Sequence, residues 1–565
     1  MDYPAPTRGH FSSDHDESNA QKARMCVTED QILQLSAYGG IGSILEHQAR
    51  ARENDVWMIY EPDDSGHIVY SYRNFRNAVI CCRSLLLNKG LRRGDRVATV
   101  AHNHADTVIQ YFAAWSLGLA IVPLNIGEDD RMLSYILSDA DVSLVFVRSE
   151  YMGRLQKIAT DIPSPIPVVE VSNEWSVQLH EALEEARGAV ESEKGLLDQD
   201  ALIVYTSGTT GMPKGVVLSQ RNLIHDAVSI AQWHGIDETA RMMCVLPIHH
   251  VNGTVVTLLA PFISGSSTVL LRKFHTHSFF ETINKHAVTI VSVVPTLLQY
   301  LVHDTSLENE GQSSTLHHII CGAGPLTCDL ARSFERKFGI PIIHGYGLSE
   351  TTCYSSFLPL DLGEGEHDYW MQYFGFPSIG VPLPINDMDI QDDDGRSLGE
   401  GVKGEIVIRG GNVMQHYFKN PSANAAAFTH GWFRSGDEGF YQRDSEGRRY
   451  FFITGRYKEL IIRGGVNISP LEIDEVLASC PGVHTGIAVG FENAWYGEEV
   501  GALVIRSTPQ VTATDIMTHC KSLLPYSKCP KVVLFADTLP VTSTGKYQRT
   551  RVRGLFAEWR DIQFR

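Results

Sequence analysis

The chain has 565 residues, more than one ordinary hydrophobic core organises, so two or more domains are expected. Its 43% hydrophobic and 20% charged residues are those of a globular protein, and a formal net charge of -18 argues against a nucleic-acid partner, which needs clustered Lys and Arg. The ten cysteines include no spaced pair of the zinc or redox kind and fit reduced core thiols in a cytoplasmic protein.

Residues 1–35 open with a polar, acidic stretch (HFSSDHDESNAQ from His10) and are expected to form a disordered leader without a secretory signal. Tyr72 to Lys89 carries apolar residues at helical spacing, Gly90 and Gly94 stop that helix, and Arg96 to Ala101 reads as a strand. Short β-branched runs recur at Ser143–Val147, Ala201–Tyr205, Thr289–Val294 and His318–Ile320, each followed by a turn and a helical segment. That alternation is the mark of stacked α/β layers. The most apolar stretch, Gly253 to Leu271, is broken by Pro261 and by Ser264-Gly265-Ser266-Ser267, so it reads as buried core and not as a membrane span. After about residue 400 the texture turns antiparallel, with Gly404–Gly410 as a strand between glycine turns. From Lys458 a compact tail follows: helix 471–478, strands 485–489 and 499–505, helix 514–524 and strand 532–535. A boundary at Lys458 divides the chain into 36–457 and 458–565.

The strongest chemical signal is Tyr205-Thr206-Ser207-Gly208-Thr209-Thr210-Gly211-Met212-Pro213-Lys214-Gly215, directly after a strand. Glycines let backbone N–H groups turn toward a ligand, hydroxyls add donors and Lys214 adds charge, which together make a phosphate cradle. In a P-loop the lysine follows a glycine and precedes Ser or Thr; here Pro213 and Gly215 flank it, which disfavours a P-loop kinase. Downstream, in His344-Gly345-Tyr346-Gly347-Leu348-Ser349-Glu350, Tyr346 can stack on a purine, Ser349 can donate to a phosphate and Glu350 can hold magnesium.

These motifs resemble those of the adenylate-forming superfamily, which joins acyl-CoA synthetases, peptide-synthetase adenylation domains and luciferases, and the resemblance runs from Ser71 to Gln548. It implies an α/β fold: a large N-terminal domain of α/β layers with a β-barrel-like portion, and a small mobile α+β C-terminal lid. The loop from Thr206 to Lys214 would hold the phosphates of ATP, and the turn Gly322-Ala323-Gly324 would face the adenine. Asp437, in Trp432-Phe433-Arg434-Ser435-Gly436-Asp437, would take the ribose hydroxyls, with Arg456 beside it. Lys458 falls at the hinge position, and Arg463-Gly464-Gly465 in the loop that approaches coenzyme A. Lys546, in Leu539-Pro540-Val541-Thr542-Ser543-Thr544-Gly545-Lys546, falls at the adenylation lysine.

Leu246-Pro247-Ile248-His249-His250-Val251-Asn252-Gly253 is similar to the segment whose histidine, here His250, orients the acid; His249 stands where an aromatic is usual. Asn252, His249 and the small Gly322 and Gly324 hint at a short or polar acid, and the insertion Gly363–Phe376 either lines the pocket or decorates the surface. The reaction implied is an AMP-forming ligation of a carboxylic acid to coenzyme A, with ATP, Mg2+ and coenzyme A as partners. A carrier-protein thiol as acceptor, or an ATP-binding homologue without catalysis, stand as alternatives.

Overall fold

The periodic stretch Tyr72 to Asn88 is one helix, started where Ser71 accepts from the Asn74 N–H and ended before Gly90, whose φ of 84° suits glycine. Its apolar positions Tyr72, Phe75, Val79, Cys82 and Leu86 form one fully buried face. Phe75 meets Trp57 at 5.6 Å and Phe112 at 5.0 Å, and each such burial contributes about 1.5–3 kcal/mol. The computed structural model describes residues 10–25, 39–63, 66–159, 162, 165–172, 175, 195–206, 212–307, 315–542 and 546–564.

Among the described residues the strands form four sheets. The first has nine strands. Its parallel centre runs Ile342–Tyr346, His318–Cys321, Ile290–Val293, Arg241–Cys244, Ser267–Leu271 and Val56–Glu61, with antiparallel strands at both edges. The second has seven: Ala120–Leu124, Arg96–Val100, Leu144–Arg148 and Val168–Val171 are parallel to Asp200–Thr206. Lys214–Ser219 and His416–Tyr417 continue it antiparallel. Helices cover these sheets, so their strands are buried on both faces, which explains the continuous β-branched runs.

A four-stranded antiparallel sheet, Asn386–Gln391, Gly404–Gly410, Phe433–Arg443 and Arg449–Arg456, supplies the texture expected after residue 400. The last sheet (Val466–Ile468, Ile461–Arg463, Gly497–Arg506, Val483–Asn493, with Val532–Phe535 beside Gly497–Arg506) belongs to the C-terminal unit and has its own apolar clusters. The change of sheet falls between Arg456 and Ile461, and the exposed Lys458 lies in that connection. No helix among the described residues is long and apolar enough to cross a membrane.

Two expectations need correction or completion. The leader is not disordered over residues 10–25: Asp14–Ala23 is a helix capped by Ser13, with Asp14, Asp16 and Glu17 in its first turn. Its contact with the body is made by the small Ala20 and Ala23, both fully buried, so no apolar run announces it. The rest of 1–35 lies outside the described residues. The Gly363–Phe376 insertion does not line the second cavity, to which His249, His250 and Asn252 belong, nor does it only decorate the surface, since Tyr369 and Tyr373 are exposed but Trp370 is buried. Its helix Glu364–Gln372 stacks Trp370 on Tyr450 at 3.8 Å, while Phe376 lines the first cavity described below.

Candidate active site

Open parallel sheets bind ligands beyond the carboxyl ends of their strands, and the predicted residues gather there. A cavity of ≈ 150 Å³ is lined by Ala323 and Gly324 after His318–Cys321, by Gly345, Tyr346 and Gly347 at the end of Ile342–Tyr346, and by Asp437, Arg456 and Lys546. Gly322 lies behind it: a Cβ there would meet the Tyr354 hydroxyl at 2.6 Å. At Gly347 a Cβ would fall 1.9 Å from the Cys353 carbonyl oxygen, so glycine alone permits this approach.

Asp437 and Arg456 are cross-strand partners in the antiparallel sheet. The Tyr346 hydroxyl donates to Asp437 Oδ2 at 2.7 Å. Arg456 Nε lies 2.9 Å from Oδ1, yet out of line for a hydrogen bond, so this buried oxygen keeps acceptor capacity for a ligand hydroxyl. Asp437 holds the Arg456 guanidinium firmly charged, and burial beside Asp437 pushes the Tyr346 phenol well above its usual value.

Thr206 ends the strand Asp200–Thr206 and pairs with Lys214 across the hairpin; Ser207, Gly208, Thr209 and Thr210 lie outside the described residues. Lys214 Nζ sits 4.7 Å above the Tyr417 ring, and the Tyr417 hydroxyl donates to Glu350 Oε1 at 2.9 Å. Burial and the charge of Lys458 lower the Lys214 pKa, while Glu350 opposes them. Glu350 occupies the short turn Ser349–Thr351, and one such carboxylate fits a magnesium ion that takes its remaining oxygens from phosphates and water.

A second cavity of ≈ 250 Å³ shares Ala323, Gly347 and Lys546 with the first and adds Thr206, Ser349, His249, His250 and Asn252. The histidine rings lie 4.3 Å apart. Burial lowers His249 to about 4, and burial with the charge of Lys546 lowers His250 well below the usual imidazole value, so both are neutral at pH 7. Asn252 opens an eight-residue π-helical run, Asn252–Leu259. Its side chain accepts from Ser292 Oγ at 2.9 Å and donates to Tyr354 Oη at 3.2 Å.

Lys546 comes from the C-terminal unit. Its loop is closed by Thr542 N–H donating to the Lys546 carbonyl at 2.8 Å and by Lys546 N–H donating to Thr542 Oγ1 at 3.1 Å. Burial and the nearby Arg456 lower its pKa. Arg463, Gly464 and Gly465 are not brought to either cavity. They form the turn between Ile461–Arg463 and Val466–Ile468, where Arg463 pairs with Glu499 and stacks on Tyr496 at 4.0 Å.

The C-terminal unit also docks through Glu475, whose two carboxylate oxygens each lie 3.1 Å from the Cys328 N–H at the start of helix Cys328–Phe338. Burial raises this carboxyl to about 8; Asp474 on its own helix and Asp329 opposite push the same way, and the Cys328 N–H opposes them, with Arg332 beside the thiol. An undocked carboxyl keeps its ordinary 4.5, so docking takes up a proton between pH 4.5 and 8 and weakens as pH rises through that window. Proteolysis at the 457–460 connection should accelerate from pH 6 to pH 9 in the wild type, and Glu475→Gln should flatten that profile; an equally steep profile in the variant would remove Glu475 as the cause.

Three contributors were not singled out by sequence: Tyr354, which closes the second cavity, Tyr417 on Glu350, and Arg549 behind Lys546. Tyr417 joins its sheet from some two hundred positions downstream of its strand partner Val216, a pairing that no local pattern announces.

The model for the AMP-binding enzyme family matches residues 45–418, and that for the AMP-binding enzyme C-terminal domain matches 472–546. A sulfoacetate–CoA ligase of Cupriavidus necator is 34% identical over 467 residues, covering 82% of this chain and 88% of the relative. An oxalate–CoA ligase of Arabidopsis thaliana is 33% identical, with 84% and 91% covered. The crystal structure of ATP-bound MatB from Rhodopseudomonas palustris superposes with a TM-score of 0.81 at 26% identity, covering 92% of this chain and 99% of that one. The chain belongs to the AMP-binding enzyme family, in the acid–CoA ligase branch of the adenylate-forming superfamily.

Proposed function

We infer that this AMP-forming acid–CoA ligase acts on a short carboxylic acid bearing a second polar or anionic group. The observation that carries this reading is the polar wall of the second cavity. Asn252, tied to Ser292 and Tyr354, and the buried, unpartnered His249 Nε2 offer hydrogen bonds where an alkyl chain would strand them. Sulfoacetate and oxalate, named for two relatives, are two-carbon acids of this kind.

In the first step a carboxylate oxygen attacks the α-phosphorus of ATP and pyrophosphate leaves, giving an acyl-adenylate. Asp437 and Arg456 hold the ribose, Ala323 and Gly324 face the adenine, and Thr206, Ser349 and Lys214 contact phosphates. Lys546 stabilises the charge moving onto the α-phosphate. Glu350 is the carboxylate for magnesium, which when bound neutralises phosphate charge. Neutral His250 orients the acid. The C-terminal unit then turns about Lys458, withdraws Lys546 and brings Arg463, Gly464 and Gly465 toward coenzyme A. The coenzyme A sulfur attacks the acyl carbon and AMP leaves. A cytoplasmic setting is part of this reading, which the nine free cysteine thiols among the described residues suit.

The test is pyrophosphate release across an acid panel at fixed ATP and coenzyme A, with thioesters identified by mass. Two- to four-carbon acids with a second carboxylate or sulfonate should exceed octanoate in kcat/KM by about 10²-fold or more. Faster turnover of octanoate would overturn the inferred substrate class, and release of pyrophosphate without thioester would point to a carrier-protein acceptor.

A further inference from the structure

We propose that residues 10–25, which precede the stretch matching the family, brace Glu350 through the strand His416–Tyr417, making Tyr417 a positioning residue for the first half-reaction. This rests on Glu350 serving the magnesium–phosphate site. On its inner side the segment 414–417 grips Glu350 twice. The Met414 N–H donates to the Glu350 carbonyl at 2.7 Å, and the Tyr417 hydroxyl donates to Oε1 at 2.9 Å. A hydrogen bond of this kind fixes the rotamer and the free lone pairs of a metal-binding carboxylate.

On its outer side the same segment is held by the N-terminal stretch. Arg24 Nη1 donates to the Gln415 carbonyl at 2.8 Å and to Gln415 Oε1 at 3.2 Å. His10 stacks on His416 with ring centroids 3.9 Å apart and planes at 22°. Burial keeps both rings uncharged, which lets them stack without repulsion. Asn424, fully buried, ties the two sides together. Its Nδ2 donates to the His10 carbonyl at 2.6 Å and to the Tyr417 carbonyl at 3.0 Å, while its Oδ1 accepts from the Tyr417 N–H at 2.6 Å. Two routes of hydrogen bonds joined by short lengths of chain therefore lead from the N-terminal segment to Glu350. One runs through Arg24 and Gln415, the other through His10, Asn424 and Tyr417.

The test uses the full-length protein and the variants Tyr417→Phe, Arg24→Ala, their double variant, and Glu350→Gln as reference. Two quantities are read: the gain in ATP affinity on adding Mg2+, by calorimetry, and the Mg2+ concentration giving half-maximal acid-dependent pyrophosphate release. Melting temperatures accompany both. Tyr417→Phe removes one oxygen and should raise the half-maximal Mg2+ concentration about five- to tenfold with an unchanged melting temperature. Arg24→Ala should shift it the same way by a smaller factor, and Arg24→Lys should restore part of it. Because Arg24 holds the segment that carries both Tyr417 and the Met414 N–H, the double variant should shift at least as far as Tyr417→Phe alone and fall short of the sum of the single shifts. Fully additive shifts, or lowered melting temperatures with Mg2+ dependence unchanged, would overturn the brace. If Glu350→Gln itself leaves Mg2+ dependence unchanged, the assignment of Glu350 fails. If only Glu350→Gln alters it, the brace alone fails.

Discussion

Lys546→Ala is expected to slow acyl-adenylate formation by about 10²–10³-fold while leaving thioester formation from a supplied acyl-adenylate near the wild-type rate. Among the described residues of the C-terminal unit, Lys546 alone lines both cavities, and Thr542 holds its backbone N–H. Its depressed pKa reflects desolvation, and a cation already stripped of water interacts more strongly with charge that develops on a phosphate. On the proposed mechanism the C-terminal unit has turned about Lys458 and withdrawn Lys546 before the thiol attacks, so the charge that AMP carries away is not met by this cation. Separate assays of the half-reactions decide the matter: pyrophosphate release for the first, coenzyme A consumption from synthetic adenylate for the second. Equal loss in both would mean that one arrangement of the two units serves both steps.

The second large effect is structural. Arg549→Met should destabilise the C-terminal unit by about 3–5 kcal/mol, because it strands a buried carboxylate. Arg549 and Asp474 are both buried and form a close ion pair, and Arg549 Nη1 also donates to the Ala488 carbonyl at 2.7 Å. Asp474 Oδ1 accepts from the Ala488 N–H at 2.7 Å, so the pair clamps helix Pro470–Ala478 to strand Val483–Asn493 and to the residues just after Lys546. Denaturant unfolding followed through Trp495, which lies in this unit, measures the loss. A change below about 1 kcal/mol, the size of an exposed pair, would show that the clamp is dispensable.

Local signals were the legible ones. Gly345, Gly347 and Gly322 sit in contiguous motifs, and each stands where a Cβ would collide with neighbouring atoms. Three of the five strands of the C-terminal unit, Val483–Asn493, Gly497–Arg506 and Val532–Phe535, fall within a few residues of the reading because β-branched runs between turns admit few alternatives, whereas the three-residue strands Ile461–Arg463 and Val466–Ile468 are too short to be read. What escaped sequence reading depends on distant pairing or on weak patterns. The leader helix buries alanines, which carry little hydropathy. Tyr417 works through a strand joined across the fold, and the Arg549–Asp474 pair links positions 75 apart. The π-helical run Asn252–Leu259 is buried on every side, the polar Asn252, Thr254 and Thr257 included, so its sequence carries no amphipathic period to mark it.

That π-helical run has an evolutionary consequence. A π-turn holds one residue more than the α-turn it replaces, and each residue of an α-helix turns the chain by about 100°. Deleting one residue within Asn252–Leu259 would therefore turn its start, with Asn252 and the preceding His249 and His250, by about 100° against the strand Ile290–Val293, whose Ser292 now holds Asn252. On the proposed reading the loss of a single codon would so reshape the second cavity, while Asp437 and Arg456, paired on the antiparallel sheet, keep their places.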